Sequence, residues 1–498
     1  MDSKNEDKAV IIKTPYVDNI PIRLEYQNNL EKETVQFLVA KGDSTNKDSK
    51  TVPHRFVKSG NYEMVEFVGT KDTNVDAIDN YGSTLLHKVT EFGDLDMVKF
   101  LVAKGAVNVD AINKNGSTVL HKVAESGNFD MVKFLVAKGA NIDVINKDGN
   151  TVLHYSAKSG ELAMVEFLVT KGAKIDVINK DGNTALHWAA KSGNFDTFKF
   201  LVAKGANIDV IDKDGNTVLH YASQSGKLAL VEFLVSKGAN VGAVNKYGST
   251  ALYMASTSDY FAMVKFLVSK GANVNSIDIE GSTILHHIVI YDDLDIVQFL
   301  VTKGINVNVK NKTGRTVLHS AASWSSMNMV QFLVAKGANI NTIDNDGNTS
   351  LLWTALSEKW DTLKFLVRKG ASINTRNKYG YTVLNLAVKS GNLRIIQFLV
   401  AKGANINAID NDGNTVLHWA AFCNKLNIIK FLVRKGVSIN FKNKDGDTAL
   451  DCAALYNKGN IFKYLVRQGI DSKNKNSNII LRNNKYGKNN KIYYLNHI

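Results

Sequence analysis

Histidine is the side chain in this sequence best placed to do chemistry. Nine of the eleven histidines recur at one position of a repeated phrase: His54, His87, His121, His154, His187, His220, His286, His319 and His418. In "KDGNTALHWAAKSGN" (180–194) a Gly-led turn, a Thr, the His and a Trp stand together. A His near a hydroxyl could be a general base, and a row of histidines could hold a metal. The repeat opposes both readings. Copies carried on neighbouring helices lie ~8–10 Å apart, too far for two imidazoles to share a metal at bonds of ~2 Å. His286 and His287 are the one adjacent pair, and adjacent positions on a helix do not face one side. Cys423 and Cys452 fall in different copies without metal-ligand spacing and read as free thiols in a reducing compartment. No catalytic residue, metal or cofactor is therefore expected, and the chain reads as no enzyme.

The elements that position these residues follow from the period. Turn glycines stand at Gly82, Gly116, Gly149, Gly182, Gly215, Gly248, Gly281, Gly314, Gly347, Gly380, Gly413 and Gly446. Each step is 33 residues except the first, which is one longer because Val107 is inserted. Two weaker copies precede them: "TVPHRFVKSGNYEMVEF" (51–67), and "VQFLVAKG" (35–42), the second half of a still earlier one. Within a copy, "NKDG" (146–149) is a turn and Thr151 a helix N-cap. Val152, Leu153 and Ala157 share one face of a first helix that "KSG" ends at Gly160. Met164, Val165, Leu168 and Val169 have the spacing of a second amphipathic helix. Lys171-Gly172 closes it, and "AKIDVINK" runs extended to the next turn. One copy alone cannot bury its apolar face, so stability comes from stacked neighbours.

The period, the Gly-x-Thr-x-Leu-His-x-Ala-Ala phrase and the closing Lys-Gly-Ala resemble the ankyrin repeat over roughly residues 20–470. One departure is systematic: the Pro of the family's "TPLH" is replaced by Val or Ala, as in "TVLH" and "TALH". The resemblance implies an all-α ankyrin-repeat solenoid of helix-loop-helix units joined by β-turn fingers. It also implies that the column histidines hydrogen-bond the turn and the neighbouring repeat. The chain divides into an N-terminal segment (1–18), two degenerate repeats (19–81), twelve repeats (82–470) and a basic, Asn-rich, disordered tail (471–498). Nearly identical repeats rich in Lys and Asn also resemble long ankyrin proteins of host-associated intracellular bacteria, which would make the chain a host-directed effector.

The formal net charge is +14. Much of it comes from one column near the end of each repeat: Lys41, Lys71, Lys104, Lys138, Lys171, Lys204, Lys237, Lys270, Lys303, Lys336, Lys369, Lys402 and Lys435. A cation there suits the helix dipole, so the excess has a structural explanation. This lysine edge and the basic tail leave nucleic acid or chromatin as the alternative partner. No ~20-residue apolar stretch and no Sec-type leader is found. The expected location is the cytoplasm, or a host cell after export, and the expected state a monomer.

Selection of a partner must come from positions that vary. The residue after the column His reads Lys88, Lys122, Tyr155, Trp188, Tyr221, Met254, His287, Ser320, Trp353, Leu386, Trp419 and Cys452. In the ankyrin family this position faces the concave groove. Tyr155, Trp188, Tyr221 and Met254 would form an apolar stripe there, resumed by Trp353, Leu386 and Trp419. Exposed aromatics are typical interface anchors, while packing between adjacent first helices explains the same pattern. Tyr81, Tyr247 and Tyr379 sit at turn tips where no turn type requires them, and are further contact candidates. The expected function is a non-enzymatic scaffold that binds other proteins. Finally, the glycine ending the first helix becomes Asp259, Asp292, Ser325 and Glu358 in the middle copies. Either those loops change geometry or residues ~248–370 form a softer segment.

Overall fold

Each copy begins where a glycine lets the chain reverse. Gly182 holds φ at +86°, a region that disfavours side chains. A Cβ on Gly182 would also lie 2.8 Å from the backbone N of Lys213 in the next copy, so close stacking makes the same demand. The turn is braced from within: Asn146 Oδ1 accepts from the N–H groups of Asp148 and Asn150, both at 3.0 Å. Thr151 then caps a first helix, Val152–Ser159, which stops at left-handed Gly160. The second helix, Leu162–Thr170, ends at Lys171. The first buries Val152, Leu153 and Ala157; the second buries Met164, Val165 and Leu168. Each such side chain contributes ~1.5–3 kcal/mol when removed from water, and both helices spend that on the neighbouring copies.

The computed structural model describes residues 78–91, 93–103, 108–256 and 261–468, with the backbone of Arg23–Glu25 and Gln36–Leu38. Among the described residues there are 24 α-helices. His54, Lys41, Lys71, Lys104, Asp259, the copy at 51–67 and the tail at 471–498 lie outside them. Arg23–Glu25 and Gln36–Leu38 pair as antiparallel strands, with Arg23 opposite Leu38. That differs from the helix expected at 35–42. The string Gln-Phe-Leu-Val-Ala recurs at 331–335, where it is helical within Met327–Ala335. The tripeptide Gln-Phe-Leu thus takes either form, and its surroundings decide.

The chain forms two compact units, Met1–Ala239 and Asn240–Ile498. In the first, the fingers are laddered by one backbone bond per copy: Lys147 N–H to Asn115 O, Lys180 N–H to Asp148 O, and Lys213 N–H to Asp181 O, at 2.7–2.8 Å. A second tie comes from an Asp column, in which Asp110 Oδ1 accepts from Asn141 N–H at 2.9 Å. The second unit is laddered in the same way but carries Asn in that column. Asn308 accepts from Asn339 N–H and also donates to Gly337 O, both at 2.9 Å. An amide can donate where a carboxylate cannot, so the interfaces at Asn275, Asn308, Asn341 and Asn374 hold one bond more.

The first helices shorten in the middle copies. Ala251–Met254 has four residues, and Ile284–Ile288 has five, followed by a 3₁₀ turn at Val289–Tyr291. The lost glycines resolve in two ways. Asp292, Glu358, Asn424 and Asn457 keep the left-handed conformation, with φ of 53–59°. Ser325 abandons it for an extended one.

Candidate partner-binding surface

The histidine column frames the variable positions. Thr151 N–H donates to Nδ1 of His154 at 3.1 Å, and the Thr151 hydroxyl lies 2.9 Å from the same atom. A backbone N–H can only donate, so Nδ1 is the acceptor and the ring proton sits on Nε2. Nε2–H then reaches Asn183 O of the next copy at 3.1 Å. One side chain thus caps its own helix and ties it to its neighbour. His87, His121, His286, His319 and His418 make the same pair of bonds, to Ser117, Asn150, Arg315, Asn348 and Asp447. Burial holds these five, and His154, below the ordinary imidazole pKa. His187 keeps the cap bond, but its buried Nε2 has no partner, and burial pushes its pKa down to about 4. Neutral rings with both nitrogens engaged are poor bases and poor ligands. No group of His, Cys, Asp or Glu among the described residues could hold a metal ion. Burial also raises both thiols, Cys452 to about 12.

Where the column departs from His, the double role breaks. Asn385 Oδ1 accepts from Thr382 N–H at 2.9 Å, but its buried Nδ2 finds no partner. Asp451 caps Thr448 in the same way. Leu352 offers nothing, and Thr349 Oγ1 is left unpaired.

The variable stripe is half-buried rather than free. In the first unit Tyr155 and Trp188 meet edge-to-face at 5.5 Å, with His154 against Trp188 at 6.0 Å. His187 packs against Tyr221 at 5.7 Å. The polar ends are tied to the turn nine residues earlier. Tyr155 Oη accepts from Asn146 Nδ2 at 2.9 Å, and Tyr221 Oη donates to Asp212 Oδ2 at 2.5 Å. In the second unit Trp353 and Trp419 donate to Asp344 and Asp410 at 3.2 and 2.9 Å. A bond to the copy's own turn therefore accounts for one side of Tyr155, Tyr221, Trp353 and Trp419, and the preceding copy's His154, Tyr155 and Lys158 for one side of Trp188; all five stay partly exposed.

Two expectations change. Leu386 is 1% exposed, so it belongs to the core and does not continue the stripe from Trp353 to Trp419; unlike Tyr or Trp, its side chain has no polar end to hold at the surface. Tyr379 and Trp419 are instead joined through a residue the sequence reading passed over. Tyr381 stacks on Tyr379 at 6.0 Å and meets Trp419 edge-on at 5.4 Å, and Phe422 and Tyr456 extend the chain of rings. At the tips Tyr81 is 72% exposed and Tyr247 48%. Met254 is half-buried in the second unit.

The structure adds a surface that sequence reasoning missed. Four residues before each turn glycine the fingers expose Ile78, Ile112, Ile145, Ile178 and Ile211 in the first unit. In the second, Val244, Ile277, Ile343 and Ile409 are exposed at the same position, with Lys310, Arg376 and Lys442 in the copies between. The periodicity was readable, but an Ile in a repeat looks like core until its exposure is known.

The ankyrin-repeat family model, in blocks of three copies, matches residues 25–113, 106–179, 171–245, 210–278, 275–344, 341–410 and 384–476. The chain belongs to the ankyrin-repeat family. No curated protein matches it. Ankyrin arrays are in general protein–protein interaction modules and typically non-enzymatic, which agrees with histidines engaged in holding the ankyrin array together. The lysine column is likewise engaged: Lys138, Lys171 and Lys204 cap second helices and lie 5.5–5.8 Å over Phe134, Phe167 and Phe200. No helix among the described residues is long and apolar enough to cross a membrane.

Proposed function

We propose that this chain is a non-enzymatic scaffold that binds partner proteins through the variable positions of its ankyrin array. The observation that carries the reading is the division of labour within each copy. The repeated Thr, His, Asx and Gly residues turn their polar atoms inward, to the fold, and all but a few of those atoms, such as His187 Nε2, Thr349 Oγ1 and Asn385 Nδ2, are bonded there. The aromatics beside them stay partly exposed, and Tyr155, Tyr221, Trp353 and Trp419 are oriented by a bond to the turn. Tyr155, Trp188 and Tyr221, with Tyr81 at a tip, form the contact set of the first unit. Met254, Trp353 and Trp419, with Tyr247 and Tyr379, form that of the second. Rigid aromatics with one polar end suit interface anchors, because little side-chain entropy is lost on binding. The host-directed role rests on the Lys- and Asn-rich repeat composition alone, and would make the partner a host protein.

The test is affinity capture with the intact chain against Trp188→Ala/Tyr221→Ala, with circular dichroism as a folding control. The reading expects specific partners to be lost in the double variant and retained as salt rises from 50 to 300 mM. Steep salt loss with no effect of the variant would favour nucleic acid at the lysine edge instead.

A further inference from the structure

A second exposed patch lies at the far end of the first helices, away from the turn tips. The residue that precedes the helix-ending position is Ser in most copies, as at Ser126, Ser159, Ser192 and Ser390. In two consecutive copies of the second unit it is Tyr291 and Trp324. They are 57% and 69% exposed, and Ile290 beside them is also open. The two loop ends are pinned together: Ser325 Oγ donates to Val289 O, and Ser326 N–H donates to Asp292 Oδ1 at 2.9 Å. The fold asks for none of these rings, since Ser serves elsewhere. Tyr456, the other described aromatic in this column, is 50% exposed and packs edge-on against Phe422 at 4.7 Å.

The charge around the patch is as unusual as its rings. Asp292, Asp293 and Asp295 adjoin Tyr291, and the Trp324-Ser325-Ser326 loop of the next copy carries no charge; in the copy after that, Glu358 and Asp361 are already met by Lys359 and by Arg394 and Lys364, which lie 4.3 and 5.9 Å over Trp360. The next copies carry Lys389, Arg394, Lys425 and Lys458 on this edge. A net-basic chain thus holds a local acidic island around two open rings. Screening over ~8–10 Å makes the island, not the total charge, govern what approaches.

We infer that this edge is a docking site for a Lys/Arg-rich peptide segment of a partner protein that also carries an aliphatic residue. The carboxylates pair with its cations, the faces of Trp324 and Tyr291 accept a guanidinium or ammonium group, and Ile290 meets the aliphatic side chain. Phosphate-bearing partners, nucleic acid or anionic lipid, are repelled by the same carboxylates. The site is separate from the aromatic stripe, and either can fail without the other.

The probe is a fluorescein-labelled peptide, Lys-Arg-Ile-Leu-Lys-Arg, titrated with the full-length chain and read by fluorescence anisotropy at 50 mM salt. Saturable binding is expected. It weakens about tenfold in Tyr291→Ser/Trp324→Ser, in line with loss of aromatic anchors. It also weakens in Asp295→Lys and at 300 mM salt, and is unchanged in Trp188→Ala/Tyr221→Ala. The serine substitutions install the residue other copies use, so the fold should survive, as circular dichroism will check. The proposal is overturned by absence of saturable binding to the wild-type chain. Equal affinity in the serine variant, or equal affinity for a peptide with Glu in place of every Lys and Arg, overturns it too.

Discussion

At the scale of single residues, the column His is the part that no other side chain replaces. Its two nitrogens sit at opposite ends of a rigid ring, so Nδ1 can accept from the cap while Nε2–H crosses to the next copy. Asn385 shows what is lost when only the near end is kept: the cap remains and Nδ2 is orphaned. His154→Asn should therefore keep the Thr151 cap, lose the bond to Asn183 O, and cost about 1–2 kcal/mol. His154→Ala should lose both and cost about 1 kcal/mol more. Urea unfolding of the two variants checks the order; equal costs would mean the cap adds nothing. The column was plain in the sequence because it repeats. That one ring serves two copies was not, since the partner carbonyl lies 29 residues away. Tyr381 escaped notice for a related reason: its ring links Tyr379 to Trp419, which belongs to the following copy.

At the scale of elements, period and apolar spacing gave the helices directly, because stacked repeats leave propensity and tertiary demand in agreement. The middle copies are where the two part. A non-Gly residue at left-handed φ costs roughly 1–2 kcal/mol, less for Asn and Asp, and Glu358 sits at φ 54°. Glu358→Gly should raise the urea midpoint, by about 0.5–1 kcal/mol once the greater freedom of an unfolded Gly is set against the relief. An unchanged or lower midpoint would show the loop to be unstrained. The sequence posed changed geometry and local softness as alternatives. Geometry is retained at Asp292 and Glu358 and altered at Ser325, while hydrogen exchange over 248–370, slower or faster than in the flanking copies, decides softness.

For the whole molecule, pH dependence is the summed consequence of the buried histidines. Seven of them titrate below the ordinary value because burial disfavours the charged ring. The unfolded chain, with imidazoles near ~6.5, then binds more protons than the native one. Stability is full above pH ~6.5 and falls as pH drops through the lowered native values. His187 alone, at about 4, would contribute a loss on the order of 3 kcal/mol by pH 4. Thermal unfolding should shift to lower temperature from pH 7 to pH 5, before most carboxylates titrate; a flat profile there would contradict buried neutral rings. Architecture was legible at this scale, and selectivity was not. Position after the column His told which residues vary, but whether a side chain is covered, as Leu386 is, or half-open, as Trp353 is, depends on side chains from copies that sequence distance hides. The central claim is that repeated residues hold the array and variable ones choose the partner. The most direct measurement is partner affinity, by calorimetry, for His154→Asn beside Trp188→Ala/Tyr221→Ala. The account predicts that the first lowers the unfolding midpoint while affinity stays within about twofold, and that the second weakens binding about tenfold or more. A histidine variant that loses the partner while still folded, or a stripe variant that keeps it, would contradict the account.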